Sequence, residues 1–353
     1  MLNITTQYRL NVVLFPYHLT AADQRDTPKV SFAILTANER EELAVNGFLD
    51  LVRVDHARYP HASRFQYNSD AVLKHAKAKV EPLPDRRYTH RLFSLEVSGN
   101  KQVGVHVHCD KMGPWGAFDK TVELLKTARK KKWKIDYIFI VGCCGASVKE
   151  AKKKDFPRGT ILLAEQVKDY LNTGKVEEEC EEDIAEEMGS GKAPTFKVKG
   201  SPATYPMDSA LLTQMKGESS TDTRGAFNVI EVKKVDYLSG PLVIKSSLFG
   251  ATFRDSSVDA CGVEMEAVGV LKAVETFQAI SGGPKVEVVL AKGISDYTGR
   301  KGESGSCKFF DETIDAATDD QLQMNATMQA VALVIRFVAN RMEWLFNQRP
   351  PKQ

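Results

Sequence analysis

Three short segments carry the residues that could do chemistry. Gly262-Val263-Glu264-Met265-Glu266-Ala267 passes from a strand pattern into a helix pattern, with two carboxylates at the junction. Lys292-Gly293-Ile294-Ser295-Asp296-Tyr297 closes an apolar run on a Ser-Asp pair. Ile140-Val141-Gly142-Cys143-Cys144-Gly145 opens a buried run into a glycine-flanked turn. In open α/β sheets, ligands bind outside the carboxyl ends of the strands, and all three segments are expected at such ends. Together they would bring carboxylates, a serine, a cysteine and exposed backbone amides to one crevice, a set suited to general acid–base work. Taken singly, each residue has a plainer explanation. Asp296 reads as a turn cap, Glu266 as a first-turn carboxylate favoured by the helix dipole, and Met265 as a core side chain.

Other constellations carry less. His106-Val107-His108 puts two imidazoles on one face of a strand, followed by Cys109-Asp110. A metal site built on that pair needs ligands from later strands, yet all seven histidines lie at or before position 108. Two histidines on a half-buried strand is the preferred reading, and no metal or cofactor is expected. The six cysteines show no CxxC and no disulfide spacing, which points to reduced thiols in a cytoplasmic compartment. Neither a GxxxxGK[ST] loop, nor GxGxxG after a strand, nor GxSxG occurs.

The elements that must position these residues alternate between buried strands and helices. Ser31–Thr36 is a short apolar run of strand length, Asn38 offers a helix N-cap, and Glu39–Val52 has helical spacing. Arg91–Val97 and Gln102–Cys109 read as paired strands around a Gly99-Asn100 turn. Gly113–Gly116 punctuates the chain before an amphipathic helix over Ala117–Lys132. Ile135–Val141, Thr160–Val167, Phe227–Val232, Pro241–Ser246 and Val286–Leu290 read as strands, and Glu266–Ala279 and Thr318–Trp344 as helices. Residues 53–90 are a mixed insertion with a helix expected near Asp70–Lys79, and Glu177–Glu187 reads as a solvated helix or loop. The pattern implies α/β layering with a largely parallel sheet.

Composition bounds the function. The chain has 353 residues, 42% hydrophobic and 27% charged, enough for a sizeable core. Lys plus Arg is 48 against 46 for Asp plus Glu, a net +2 without the basic excess of a nucleic-acid binder. No apolar run approaches the roughly 20 residues needed to span a bilayer, and no signal peptide is evident, so neither nucleic acid nor membrane is an expected partner.

The set of motifs, in its order along the chain, resembles the nucleoside phosphorylase and nucleosidase superfamily. Ile34–Glu42 (ILTANEREE) is similar to the first strand and catalytic helix of the methylthioadenosine/adenosylhomocysteine nucleosidase branch, Lys111–Ala117 to the glycine turn before the next helix, and Gly159–Tyr170 to the strand after the Gly142–Gly145 segment. The resemblance implies a three-layer α/β/α domain with a largely parallel, twisted central sheet over 31–345. An N-terminal extension precedes it at 1–30, and insertions fall near 53–90 and 172–200. It implies N-glycosidic bond cleavage of a purine nucleoside or nucleotide by a homo-oligomer, with a dimer favoured. Cleavage builds an oxocarbenium-like centre on ribose and negative charge on the departing base.

By resemblance, Asp296 protonates the base, steadied by Ser295. Glu266 accepts the ribose 2′- and 3′-hydroxyls, Met265 packs against the sugar, and Glu264 lies two residues back. Glu41 stands where the nucleosidases activate water, although on a helix this rich in glutamate it also reads as one more solvated charge. Gly142 and Cys143 line the site, and Phe249 falls in the base-binding segment. From their places along the chain, Arg254 just beyond that segment and Arg300 with Lys301 after the Asp296 strand end read either as ordinary solvated loop charges or as contacts to a 5′-phosphate. Many phosphorylases carry an Arg where this chain has Ile140, and a Ser where it has Cys143. Losing a charge-assisted anion contact counts against phosphate as the acceptor, so hydrolysis releasing adenine is expected. A phosphorylase, an ATP-cleaving immune nucleosidase and a non-catalytic storage relative are the alternatives.

Overall fold

The nearly unbroken apolar run before Gly142 becomes the middle of a sheet, and the rest of the fold is arranged around it. The structure is a computed structural model that describes residues 30–49, 78–83, 91–147, 156–170, 175–178, 196–199, 203–218, 231–241, 260–281, 285–298 and 316–347. The strands are β1 (Val30–Thr36), β2 (Ala78–Leu83), β3 (Arg91–Val97), β4 (Asn100–His108), β5 (Tyr137–Ser147), β6 (Ile161–Asp169), β7 (Lys175–Glu178), β8 (Phe196–Lys199), β9 (Ala203–Pro206), β10 (Val232–Ser239), β11 (Gly262–Glu264) and β12 (Glu287–Thr298). The helices are α1 (Glu39–Phe48), α2 (Pro114–Lys131), α3 (Ser209–Gly217), α4 (Ala267–Ser281), α5 (Ala316–Asn340) and α6 (Met342–Asn347).

The main sheet runs β11-β10-β6-β12-β5-β1-β4-β3-β2, with β9 beside β6. Pairings β4–β1, β1–β5, β5–β12, β6–β10 and β10–β11 are parallel, whereas β12–β6 and the β2–β3–β4 edge are antiparallel. A further antiparallel pairing sets Gly262 opposite Ala146 and Val263 opposite Gly145, so β5, β12, β6, β10 and β11 close into a ring.

Alternation along the strands feeds two cores. In β1, Ala33 and Leu35 face one side, while Phe32 and Ile34 face the other. In β5, Ile138 and Ile140 go with the first set, and Phe139 and Val141 with the second. Residues of α2 and α4 complete the first core, and residues of α1, α3 and α5 the second. By length and hydropathy Asp320–Asn340 could cross a bilayer, contrary to the sequence expectation, and most of it is buried inside the protein instead.

Several expectations shift. The β3–β4 turn is Ser98-Gly99 rather than Gly99-Asn100, because both residues take positive φ (51° and 81°), as a two-residue hairpin of the right twist requires. The glycine-flanked segment 142–145 is not a turn: β5 continues through it, held by parallel pairing with β12 as far as Ser147. Of the Glu-rich stretch Glu177–Glu187, Glu177 and Glu178 end β7, which pairs with β8 in a separate two-stranded sheet, and residues 179–187 lie outside the described residues. Of the strand expected at Phe227–Val232, residues 227–230 lie outside the described residues, and β10 runs from Val232 to Ser239 opposite Ile161–Asp169. The long C-terminal helix breaks at Arg341 into α5 and α6. The helix expected near Asp70–Lys79 falls mostly outside the described residues, and Ala78 and Lys79 belong to β2. The strand read over Pro241–Ser246 lies outside them from Leu242 on.

Candidate active site

Glu41 is the N3 residue of a capping box. The Asn38 side chain accepts from the Glu41 N–H at 2.9 Å, and Glu41 Oε2 accepts from the Asn38 N–H at 3.3 Å. A capping-box glutamate ordinarily sits at the surface, but this one is 1% exposed. Its Oε2 also accepts from the Ala37 N–H at 2.7 Å, and its Oε1 from the Cys143 N–H at 2.8 Å. The carboxylate reaches β5 because position 142 is glycine: a methyl group there would overlap it. Gly142 is thus a gap filled by Glu41.

Lys292 stands opposite Gly142 in the β5–β12 register. At 2% exposure, its ammonium meets three carboxylates: Glu266 Oε2 at 2.8 Å, Glu41 Oε1 at 3.7 Å and Glu264 Oε2 at 3.7 Å. Burial works against the lysine charge, but Glu266, Glu41 and Glu264 outweigh it and hold the pKa well above the usual lysine value.

The two glutamates of the β11–α4 junction divide their duties. Glu264 accepts from the Glu266 N–H at 2.9 Å and from the Ala267 N–H at 3.0 Å, satisfying amides at the entrance of α4. Burial pushes its carboxyl up to about 7, with Glu266 adding and Lys292 opposing. Glu266 accepts from Lys292 on one oxygen and from the Gly113 N–H, at 3.2 Å, on the other. Each oxygen keeps a second lone pair for a ligand hydroxyl. Met265, between them, is half-buried.

Asp296 lies four residues beyond Lys292. The ladder with β5 shifts register between Ile294 and Asp296, a bulge that re-aims the side chains on either side of it. Ile294 and Tyr297 both face the core, Ser295 is buried, and Asp296 is exposed. Ser295 Oγ donates to Asp296 Oδ1 at 2.8 Å. Cys143 is half-buried; burial pushes its thiol well up, with Glu41 adding, so it stays protonated and serves as a neutral neighbour.

Of the residues singled out in the sequence, the structure joins Glu41, Gly142, Cys143, Glu264 and Glu266 into one contact network. Ser295 and Asp296 extend the strand that carries Lys292. Phe249, Arg254, Arg300 and Lys301 lie outside the described residues. Lys292 and the Gly113 amide were missed. A lysine inside an otherwise apolar strand was the available signal, because a buried charge needs partners.

The fold has counterparts among solved proteins. A 5′-methylthioadenosine/S-adenosylhomocysteine nucleosidase from Neisseria meningitidis, in complex with methylthio-immucillin-A, aligns with a TM-score of 0.52 at 15% identity, covering 88% of this chain and 98% of its own. The fold is that of the 5′-methylthioadenosine/S-adenosylhomocysteine nucleosidases. The enzyme from S. pneumoniae with a transition-state inhibitor aligns at 0.53 and 11% identity, over 88% of this chain and 99% of its own. That from Colwellia psychrerythraea 34H in complex with adenine aligns at 0.52 and 13% identity, over 88% and 96%. No family model matches the chain, and no curated protein does. Within this fold, Glu264 ends β11, Glu266 directly precedes α4, Asp296 lies near the carboxyl end of β12 and Glu41 lies in the first turn of α1.

Proposed function

We propose that this chain is an N-ribosyl hydrolase that releases a purine, adenine by preference, from a nucleoside or nucleotide. The observation that carries the reading is the convergence of the Glu41, Glu264 and Glu266 carboxyls on one buried ammonium. Such a site favours the cationic ribosyl centre that develops as the glycosidic bond breaks. It disfavours a phosphate dianion, since Lys292 is already engaged by three carboxylates. Water is therefore the acceptor.

In this reading Glu41 activates the water, Glu266 holds the ribose 2′- and 3′-hydroxyls and Met265 packs against the sugar. Asp296, aligned by Ser295, protonates the leaving base. Gly142 and Cys143 form the wall beside Glu41, and Phe249 and Arg254, outside the described residues, are assigned to the base and to a 5′-phosphate from their places in the sequence. The adenine and immucillin complexes of the neighbours support a small purine ligand. The helices on both faces of the sheet support three layers around a twisted centre. A cytoplasmic homo-oligomer is part of the same reading.

The test is chromatography of products from adenosine, methylthioadenosine and adenosine 5′-phosphates, in phosphate-free and phosphate-rich buffer. Free adenine and free sugar at equal rates are expected. Ribose 1-phosphate as the product would overturn the hydrolase reading.

A further inference from the structure

The His106-Val107-His108 pair has no part in the site described above, yet His106 is buried against the two elements that hold Glu41. Its imidazole is 2% exposed and hydrogen-bonded on both sides. Nδ1 lies 2.7 Å from Asn46 Oδ1, and Nε2 lies 2.9 Å from Thr36 Oγ1. The Asn46 amide is oriented by its own Nδ2, which donates to Glu42 Oε1 at 3.3 Å. Asn46 Oδ1 therefore accepts, Nδ1 carries the proton, and Nε2 takes the Thr36 hydroxyl proton.

The two partners of His106 belong to the two elements that fix Glu41. Thr36 ends β1, immediately before Ala37, whose N–H donates to Glu41 Oε2. Asn46 lies on α1, five residues after Glu41. Between Thr36 and α1 the chain has only the Ala37-Asn38 link. The imidazole bridges that link from β4 and opposes any pivot of α1 about it. Among the described residues, the charged and titratable groups beside it are Glu42 on α1, Arg91 at the start of β3 and His108 on β4. Glu42 lies 3.2 Å from the Arg91 guanidinium and 3.8 Å from His108 Nε2. We propose that His106 is a positioning residue: bridging Thr36 and Asn46, it holds α1 so that the Glu41 carboxylate stays against the Cys143 amide. This rests on the catalytic role proposed for Glu41, but the positioning itself can be read without turnover.

The experiment uses the full chain and three variants. Thr36→Val removes one hydrogen bond at nearly constant shape, Thr36→Ser restores it, and His106→Phe removes both. Amide hydrogen exchange is followed at Ala37 and Cys143, the donors to Glu41, with Val289 in β12 as the internal reference. Exchange at Ala37 and Cys143 should quicken ~10-fold in Thr36→Val and His106→Phe, return toward wild type in Thr36→Ser, and stay unchanged at Val289. On a cleaved substrate, kcat should fall ~10–100-fold with KM within about twofold, since small displacements of a catalytic group cost that much. Unchanged exchange at both amides in folded Thr36→Val overturns the proposal, and so does a kcat that Thr36→Ser fails to restore. If His106→Phe does not fold, the Thr36 pair decides. A wild-type chain inert on every nucleoside sinks the hydrolase reading, and the exchange data still decide the positioning.

Discussion

Lys292 Nζ donates to Glu266 Oε2 across 2.8 Å, and both side chains are almost wholly withdrawn from solvent. With Glu41 and Glu264 also near the ammonium, the lysine is the hub that lets three carboxylates share one interior. Without it, their mutual repulsion in a low-dielectric site would push them toward protonation or apart.

Lys292→Met should therefore cost on the order of 3–5 kcal/mol of stability, the usual effect of leaving buried charge uncompensated. Chemical denaturation of both proteins measures it. The loss should be larger at pH 8 than at pH 6, because Glu264 is partly protonated at the lower value. A variant as stable as wild type at pH 8 would contradict the hub role.

Glu264 links stability to pH in its own right. Its carboxyl rises from an ordinary 4.5 to about 7 in the folded chain, so between those values the folded state binds more protons than the unfolded state. The stability this contributes is present in full below about pH 4.5 and is lost as pH rises through about 7, on the order of 3 kcal/mol in all. Glu264→Gln should flatten that part of the pH–stability curve. A wild-type curve rising steadily from pH 5 to 7.5, with the same slope in the variant, would rule the linkage out.

Gly142→Ala should move Glu41. The added methyl group meets the carboxylate, and overpacking of this kind costs about 1–3 kcal/mol. The same substitution should cost clearly less in a Glu41→Ala background, and a double-mutant cycle on melting measurements gives the coupling. Additive losses would show that the close approach is not what makes glycine necessary.

Asp296→Asn should leave the melting temperature nearly unchanged, because the side chain is exposed, and should lower kcat by ~10²–10⁴, the usual worth of a general acid. The two measurements are made on one preparation. Near-normal kcat would reduce Asp296 to a turn residue.

Local pattern sufficed for much of the fold. Apolar runs marked β1, β5, β6 and the first half of β12, and Asn38 marked the start of α1. The paired glutamates at 264 and 266 and the Ser-Asp pair at 295–296 were legible as candidates because charged residues at strand ends stand out from apolar runs.

What the sequence alone determined is the inventory: which carboxylates end which strands, and that Gly142 lies beside two cysteines. Only the tertiary structure decided their use. The parallel register of β5 and β12 sets Lys292 opposite Gly142, and β11 closes onto β5. A capping glutamate one turn into α1 is thereby drawn into the interior, where it meets an amide 102 residues away. The physical reason is range. Caps, turns and periodicity are fixed by neighbours in the chain, whereas the neutralisation of three buried carboxylates by one lysine depends on strand pairings that no local pattern encodes.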